Sequence, residues 1–229
     1  MLDWLADSHT WIGLLEIIGI NIVLSGDNAV VIALACRDLP PRQQQRAIFL
    51  GTLGAILLRV VLTGFAAALL NQAYIKLIGA LLLLWIAVKL LLPESQDDGK
   101  EHDNADLWAA IKTIIIADLV MSLDNVIGVA AAAKGDLALL ILGLVISMPM
   151  IIYGSTIILK LMGRFPLVIT FGGALLGYVA GEMAVSEAMI TQWIADSAQA
   201  LEYVLPALCA ISVVLAAKML APKPVPVDE

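Results

Sequence analysis

Long apolar stretches follow one another along almost the whole chain, and short polar segments separate them. A helix needs about 20 predominantly apolar residues to cross a bilayer. Seven stretches meet this requirement, at residues 11–35, 46–70, 74–92, 109–133, 137–160, 166–188 and 200–220. Their apolar positions form continuous runs, without the alternation that a transmembrane barrel requires. The pattern therefore predicts an all-α polytopic membrane protein with seven transmembrane helices.

The composition agrees with a membrane protein and excludes an ordinary soluble enzyme. Of the 229 residues, 61% are hydrophobic and 14% are charged. A soluble domain is about 45–50% apolar and about 25% charged. The net charge of −7 argues against a nucleic-acid partner. From the apolar composition we expect the lipid bilayer to surround the protein. Segment 93–107 is acidic and has loop character, and we expect residues 1–229 to form one membrane domain.

The basic residues are distributed unevenly between the two ends of the predicted spans. Seven spans place the chain termini on opposite sides of the membrane. Ten Lys and Arg residues then fall on the side of the C-terminus and two, Lys76 and Lys134, on the other side, while Arg59 lies within a span. The positive-inside rule accordingly predicts an external N-terminus and a cytoplasmic C-terminus.

Two segments of the chain resemble each other. SGDNAVVIALACR at 25–37 aligns with SLDNVIGVAAAAK at 122–134 after a shift of 97 positions. Repeat one would cover 11–92, repeat two 109–188, and the helix at 200–220 would be an addition. Because each repeat has three spans, the second copy enters the membrane in the opposite direction. This predicts an inverted 3+3 repeat, as in many secondary transporters, whose sites lie near the midplane between the copies.

Ionisable side chains at membrane depth cost about 2.5–3.5 kcal/mol each on insertion scales, so they mark candidate functional sites. Acidic and amide side chains lie near the centres of spans one and four, namely Asn21, Asp27, Asn28, Asp118, Asp124 and Asn125. At about 1.5 Å per residue, Asp27 and Asp118 share one depth, and Asn21 and Asp124 share another. The repeat thus predicts two polar layers around the bilayer centre.

The two DN motifs leave open whether spans one and four are continuous helices. Ser and Asn side chains can bond to the nearby backbone and loosen a helix. A broken helix in spans one and four would expose carbonyl oxygens to the site, as in the discontinuous helices of transporters. An unbroken helix in each span is the alternative.

The candidate ligands of these spans are mainly oxygen atoms. Carboxylate, amide and hydroxyl oxygens form a hard set suited to Mg²⁺, Ca²⁺ or Mn²⁺. His9 and His102 lie outside the spans, so zinc and copper rank lower. The thioether of Met121, between Asp118 and Asp124, would favour Mn²⁺, although methionine in an apolar helix commonly serves only in packing.

Arg59 is the one basic residue near the middle of a predicted span. A charge at that depth needs an acidic neighbour or a water-filled cavity. By depth we expect Glu182 as its first partner, followed by Asp27 or Asp124. Glu182 and Arg59 are therefore candidate supports of the site.

The two DN motifs also carry a family resemblance. At residues 25–40 and 122–131 the chain resembles the TerC family of integral membrane proteins, which groups with LysE-like exporters. The resemblance implies Mn²⁺ efflux across the bacterial inner membrane, with the ion as cargo. By this resemblance, the residues that bind the ion would be Asp27, Asn28, Asp124, Asn125 and, beside these motifs, Asp118. Some relatives have an acidic residue where this chain has Asn21, so one negative charge is absent here.

Three other functions stay open from the sequence. One is an exporter of an amino acid or another small solute, for which Arg59 is the sole deep cation. Another is an accessory subunit of a membrane stress-response complex that transports nothing. An intramembrane aspartyl protease would need GxGD and YD signatures, which SGDN and SLDN replace, so we expect no enzymatic activity. The oligomeric state is also open, with a homo-oligomer among the alternatives.

Overall fold

The computed structural model describes residues 14–15, 17–19, 25–65, 74–92, 104–133, 136–197 and 200–221. All the regular secondary structure in these residues is helical, as expected. The helices with defined bounds are α1 (Ser25–Cys36), α2 (Pro41–Gly64), α3 (Ile75–Leu91), α4 (Asn104–Ala133), α5 (Leu137–Arg164), α6 (Leu167–Val185), α7 (Ala188–Ser197) and α8 (Leu201–Leu220).

Several of these helices have the dimensions of membrane spans. Within the described residues, α2, α5, α6 and α8 are long and apolar enough to cross a bilayer, and α1 is a shorter apolar helix. α3 has 17 residues and α4 has 30. The protein is thus a membrane-embedded helical protein. The count of seven spans and the inverted repeat stay predictions.

Two boundaries differ from the sequence-based expectation. α4 begins at Asn104, so the last residues of the predicted loop 93–107 are helical. Asp106 lies in the first turn of α4, where a carboxylate is favourable beside the helix dipole. The short helix α7 follows α6 and had not been predicted, because its ten residues carry too little apolar sequence for a span.

Of the two alternatives that the sequence left open for span four, the structure has the unbroken helix. α4 runs without interruption from Asn104 to Ala133, through both positions of the second DN motif. A continuous helix satisfies every backbone hydrogen bond within itself, which the apolar surroundings favour. The corresponding question for span one falls on residues 20–24, which lie outside the described residues.

α2 and α4 lie side by side and run in the same direction. A Cβ atom at Gly51 would lie 2.7 Å from Ile114 Cδ1, so the two helices approach closely at this level. Two turns further along α2, Arg59 reaches Asp118 of α4. Small residues permit this close approach between membrane helices.

A second parallel pair is formed by α5 and the segment that contains α1. Gly143 lies beside Ile17, and Gly154 lies beside Ala29. The two segments therefore run in the same direction. α5 begins after Asp136, whose carboxylate accepts hydrogen bonds from the backbone N–H groups of residues 138 and 139 at 2.8 and 3.1 Å.

α3 and α6 form an antiparallel pair at the centre of the apolar core. Gly79 near the start of α3 lies beside Met183 near the end of α6, and Gly173 lies beside Leu91. Core side chains of the two helices are fully buried, as for Leu83. α8 covers the other side of α6 and also contacts α3.

The outer surface of the described helices is apolar. Large aliphatic and aromatic side chains are strongly exposed, among them Met219 at 85%, Leu167 at 83% and Tyr203 at 73%. Soluble monomers rarely expose apolar patches of this extent. The exposed side chains therefore form the surface that contacts lipid.

Replacing Gly177 with alanine is expected to destabilise the packing of α6 against α8. A Cβ atom there would lie 2.8 Å from the backbone oxygen of Cys209 and 2.9 Å from Ala210 Cα, so the helices must separate. Overpacking of this kind typically costs about 1–3 kcal/mol. Thermal unfolding in detergent measures the loss. Gly64→Ala is the matched control, because its Cβ would meet nothing within 4 Å, and equal unfolding temperatures for both variants would contradict the packing.

Candidate functional site

A small polar cavity lies among α1, α2, α4 and α5. Its volume is about 20 Å³, which is room for one water-sized occupant. The polar part of its lining comes from Asn28, Thr52, Arg59, Asp118 and Ser147. Aliphatic side chains complete the wall. The polar groups are therefore concentrated at one place in apolar surroundings, where electrostatic interactions are strong.

Arg59 and Asp118 form a buried ion pair in the wall of this cavity. An Nη atom of Arg59 donates a hydrogen bond to Oδ1 of Asp118. Its Nε atom donates to Oγ of Ser122 at 3.0 Å, and Ser122 Oγ in turn donates to Asp118 Oδ2 at 3.2 Å. The three side chains close a network between α2 and α4. Arg59 and Ser122 are buried, and the carboxylate of Asp118 is nearly so.

The parallel course of α2 and α4 produces this pair. Asp118 and Ser122 are four residues apart and lie on the same face of α4, so one guanidinium can reach both. Glu182, the partner expected first for Arg59, is an exposed residue of α6 instead. The depth argument failed because it ignored which helices are neighbours. The sequence carries no signal for the contact between α2 and α4, so only the packing of the two helices identifies Asp118 as the partner.

The first DN motif lies beside the same network. Asn28 is buried at 4% exposure and lines the cavity. Asp27 is half-buried, and its Oδ1 accepts a hydrogen bond from the backbone N–H of Asn28 at 2.8 Å. The side chain of Asp27 is not part of the cavity lining. The structure thus brings Asn28 and Asp118 together in the wall of the cavity, with Asp27 next to Asn28 on α1.

Two buried hydroxyl groups complete the polar lining, and the sequence analysis missed both. Thr52 is 2% exposed, and its hydroxyl has no hydrogen-bond partner among the described residues. Ser147 is buried and donates to the carbonyl oxygen of Leu144 at 2.8 Å, which leaves its lone pairs available. The sequence predicts hydroxyl oxygens among the ligands of the site, but it does not indicate which of the hydroxyl side chains in the apolar spans face it.

Apolar clusters lie on both sides of the cavity along the helix axes. On one side, Ile48 of α2 packs with Ile111 of α4 and Ile151 of α5; we name this the Ile48 cluster. On the other side, Leu140 of α5 packs with Ile17; we name this group the Leu140 cluster. Both clusters are formed mainly by residues of the helices that line the cavity. They separate the polar groups from either end of the molecule.

Of the other predicted site residues, Asn21 and the side chains of Asp124 and Asn125 lie outside the described residues. Met121 is buried in the apolar core with residues of α3 and α6, and it is not part of the cavity wall. Glu182 is likewise absent from the lining.

The donor set of the cavity consists of oxygen atoms and one guanidinium. Among the described residues, no three His, Cys, Asp or Glu side chains are grouped as ligands of a metal ion. One carboxylate, an amide and two hydroxyls of the lining provide hard donors at one place. Such a set can exchange one small cation for another, or hold a proton or a water molecule.

The fold and the buried polar cavity define a polytopic helical membrane protein with a polar site among its helices. The sequence model of the family described as "Integral membrane protein TerC family" matches residues 6–224, and the chain belongs to this family. The resemblance inferred from the two DN motifs is thereby confirmed. The relationship to LysE-like exporters stays a prediction.

The chain is similar to several bacterial membrane proteins. It is 44% identical over 205 residues to "Uncharacterized membrane protein YjbE" of Bacillus subtilis (strain 168), covering 90% of this chain and 93% of that protein. It is 27% identical over 197 residues to "Uncharacterized membrane protein YceF" of the same organism, covering 80% and 76%. "UPF0053 protein YegH" of Escherichia coli (strain K12) is 28% identical over 189 residues, covering 73% of this chain and 35% of YegH. No solved structure matches significantly.

Breaking the Arg59–Asp118 pair is expected to destabilise the protein more than removing both charges. Arg59→Met or Asp118→Asn leaves one buried charge without its counter-ion, which typically costs about 3–5 kcal/mol. The double variant Arg59→Met/Asp118→Asn should recover most of that loss. Thermal unfolding of the four proteins in detergent forms a double-mutant cycle. Additive losses in the double variant would show that the two charges do not interact.

Proposed function

We propose that this protein transports divalent cations, with Mn²⁺ export across a bacterial inner membrane as its activity. The observation that carries the proposal is the cavity of about 20 Å³, lined by carboxylate, amide and hydroxyl oxygens between two apolar clusters. Hard oxygen donors suit a small dication. An intramembrane group of ionisable side chains is a candidate for an ion pathway.

The size of the cavity distinguishes an ion from a larger cargo. A space for one water-sized occupant accommodates a dehydrated metal ion. An amino acid, which needs room for an amine, a carboxylate and a side chain, does not fit in this conformation. The cavity therefore favours a cation over the amino-acid cargo that the sequence alone left open.

The helix packing supports the inverted 3+3 repeat. If spans one to three correspond to spans four to six, contact of α2 with α4 must be matched by contact of α5 with α1. Both pairs occur, and both are parallel. The corresponding pair α3 and α6 is antiparallel. These directions agree with seven alternating spans, in which α8 is the additional helix.

The two apolar clusters provide the gates that alternating access requires. The Ile48 cluster lies toward Arg37 and the basic end of α5, and the Leu140 cluster lies toward the opposite end. Apolar constrictions exclude water and ions until the helices separate. Rocking of one repeat against the other would open one cluster at a time. By the positive-inside rule, the Ile48 cluster is the cytoplasmic gate.

Arg59 acts in this scheme as the resident cation of the empty site. Asp27, Asp118 and Arg59 together carry a formal charge of −1. A dication that binds both carboxylates competes with the guanidinium for Asp118, because two carboxylates cannot neutralise the dication and the guanidinium at the same time. Return of Arg59 to Asp118 would then favour release of the ion. This competition reduces the free energy needed to release the ion from carboxylates in apolar surroundings.

The choice of Mn²⁺ among the dications rests on the family resemblance. The cavity oxygens suit Mg²⁺, Ca²⁺ and Mn²⁺ alike. Met121 supplies no ligand from its position in the apolar core, so its thioether adds nothing to the selection of Mn²⁺. A transport assay therefore has to include all three ions.

Removal of the carboxylates in the two DN motifs is expected to abolish transport. Asp27→Asn and Asp124→Asn keep the side-chain size and remove the charge that binds the ion. The assay is uptake of Mn²⁺, Ca²⁺, Mg²⁺ and Zn²⁺ into everted membrane vesicles, together with cell survival in high Mn²⁺. Glu202→Gln, an exposed carboxylate at the start of α8, is the control and should transport normally. Normal Mn²⁺ export by both motif variants would refute the proposed site.

Loss of the Thr52 hydroxyl is expected to weaken ion binding without harming the fold. Thr52→Val keeps the shape, and no hydrogen bond between described residues is lost. If the hydroxyl contacts the ion, the dissociation constant should rise roughly tenfold, the equivalent of about 1.4 kcal/mol. Isothermal titration of purified protein measures it. Thr113→Val, whose hydroxyl bonds to the carbonyl oxygen of Ala109, is the matched control, and equal affinities would exclude Thr52 from the site.

A further inference from the structure

A second and larger cavity lies at the end of the molecule where α1 and α5 end and α2 and α6 begin. Its volume is about 470 Å³. Its polar rim includes Arg37, Gln44 and Lys160. Its apolar part includes Ile48 and Ile169. No feature of the proposed ion site accounts for this cavity.

The basic side chains of the rim are held at the cavity by the fold. Arg37 Nε donates to Asp38 Oδ2 at 2.9 Å, and its Nη2 donates to the carbonyl oxygen of Leu92 at 3.0 Å. These bonds fix the guanidinium and leave other N–H groups available. Lys160 makes no ion pair or hydrogen bond within the part of the chain that the structure describes. With Asp38, the three charged groups of the lining sum to +1.

The sign of this charge decides the kind of ligand. A wall with two cations and one anion repels a dication and attracts an anion. The cavity is thus unsuited as a vestibule for a metal ion. Ile48 nevertheless belongs both to the lining of this cavity and to the Ile48 cluster. Its ligand must combine a negative charge with an apolar portion, because aliphatic side chains line its inner part.

The position of the cavity indicates where such a ligand comes from. Several helices place basic residues at this same end of the molecule, namely Arg37 after α1, Lys89 in α3, Lys160 and Arg164 in α5, and Lys218 in α8. Exposed apolar side chains surround the rim, among them Leu161 and Phe165. This combination corresponds to the boundary between acyl chains and headgroups. Basic pockets between membrane helices at that level bind anionic headgroups.

We propose that this cavity binds an anionic phospholipid. The phosphate group lies between Arg37 and Lys160, Gln44 is near enough to donate to a phosphate oxygen, and part of an acyl chain covers the aliphatic wall. Because Ile48 belongs to both structures, the bound lipid contacts the cluster that closes the ion cavity. The proposal concerns lipid binding and holds whatever cargo the protein carries.

Native mass spectrometry of the full-length protein tests the proposal. The protein is incubated with an equimolar mixture of phosphatidylglycerol and phosphatidylcholine with identical acyl chains. The wild type should favour phosphatidylglycerol, and Lys160→Gln should reduce the preference about fivefold. Lys160→Arg should retain it. Lys218→Gln removes a charge from the same end but outside the cavity, and it should leave the preference unchanged.

A second variant tests the shape of the cavity without changing its charge. Gly163 lies in the wall, and a Cβ atom there would meet nothing within 4 Å, so Gly163→Leu can fill space without disturbing the helices. It should also lose the preference. Wild-type preference in both Lys160→Gln and Gly163→Leu would overturn the proposal. Displacement of phosphatidylglycerol by inorganic phosphate alone, with Lys160-dependent phosphate binding, would overturn it in favour of a site for a free anion.

Discussion

A guanidinium group that is buried among apolar helices must keep an anion beside it, since arginine does not lose its proton in proteins. Arg59 meets this requirement through Asp118 and Ser122, and the resulting network joins α2 to α4. The same network forms one wall of the polar cavity. The interaction that stabilises this helix pair therefore also sets the charge available to any ligand of the site. Any cation that entered the site would have to compete with a cation that the chain itself supplies.

Close contacts between helices place the network at one level. Gly51 lets α2 approach α4, and Gly143 lets α5 approach Ile17, in the segment before the first DN motif. Hydrophobic attraction gives little specificity among helices in lipid, so such small residues and buried polar groups decide which helices are neighbours. The polar cavity then forms where Asn28 and Thr52 meet the ion pair.

The two cavities of the molecule differ in charge and in size. The small one is lined by Asp118 together with Arg59, whereas the larger one has a basic rim and an aliphatic wall. Ile48 is part of the wall of the larger cavity and of the cluster next to the small one. The Ile48 cluster thus lies between two cavities with different polar linings. Movement of α2 at this position would affect both cavities at once.

The sequence by itself determined the helical membrane class and the family. Long apolar runs in lipid require helices, because every backbone polar group must bond within its own segment. Only the tertiary structure decided that Arg59 pairs with Asp118 instead of Glu182, and that Thr52 joins the site. The physical reason is that helices in a bilayer are apolar on all sides. Their sequence then does not reveal which face meets which neighbour, and contacts between distant residues follow from packing alone.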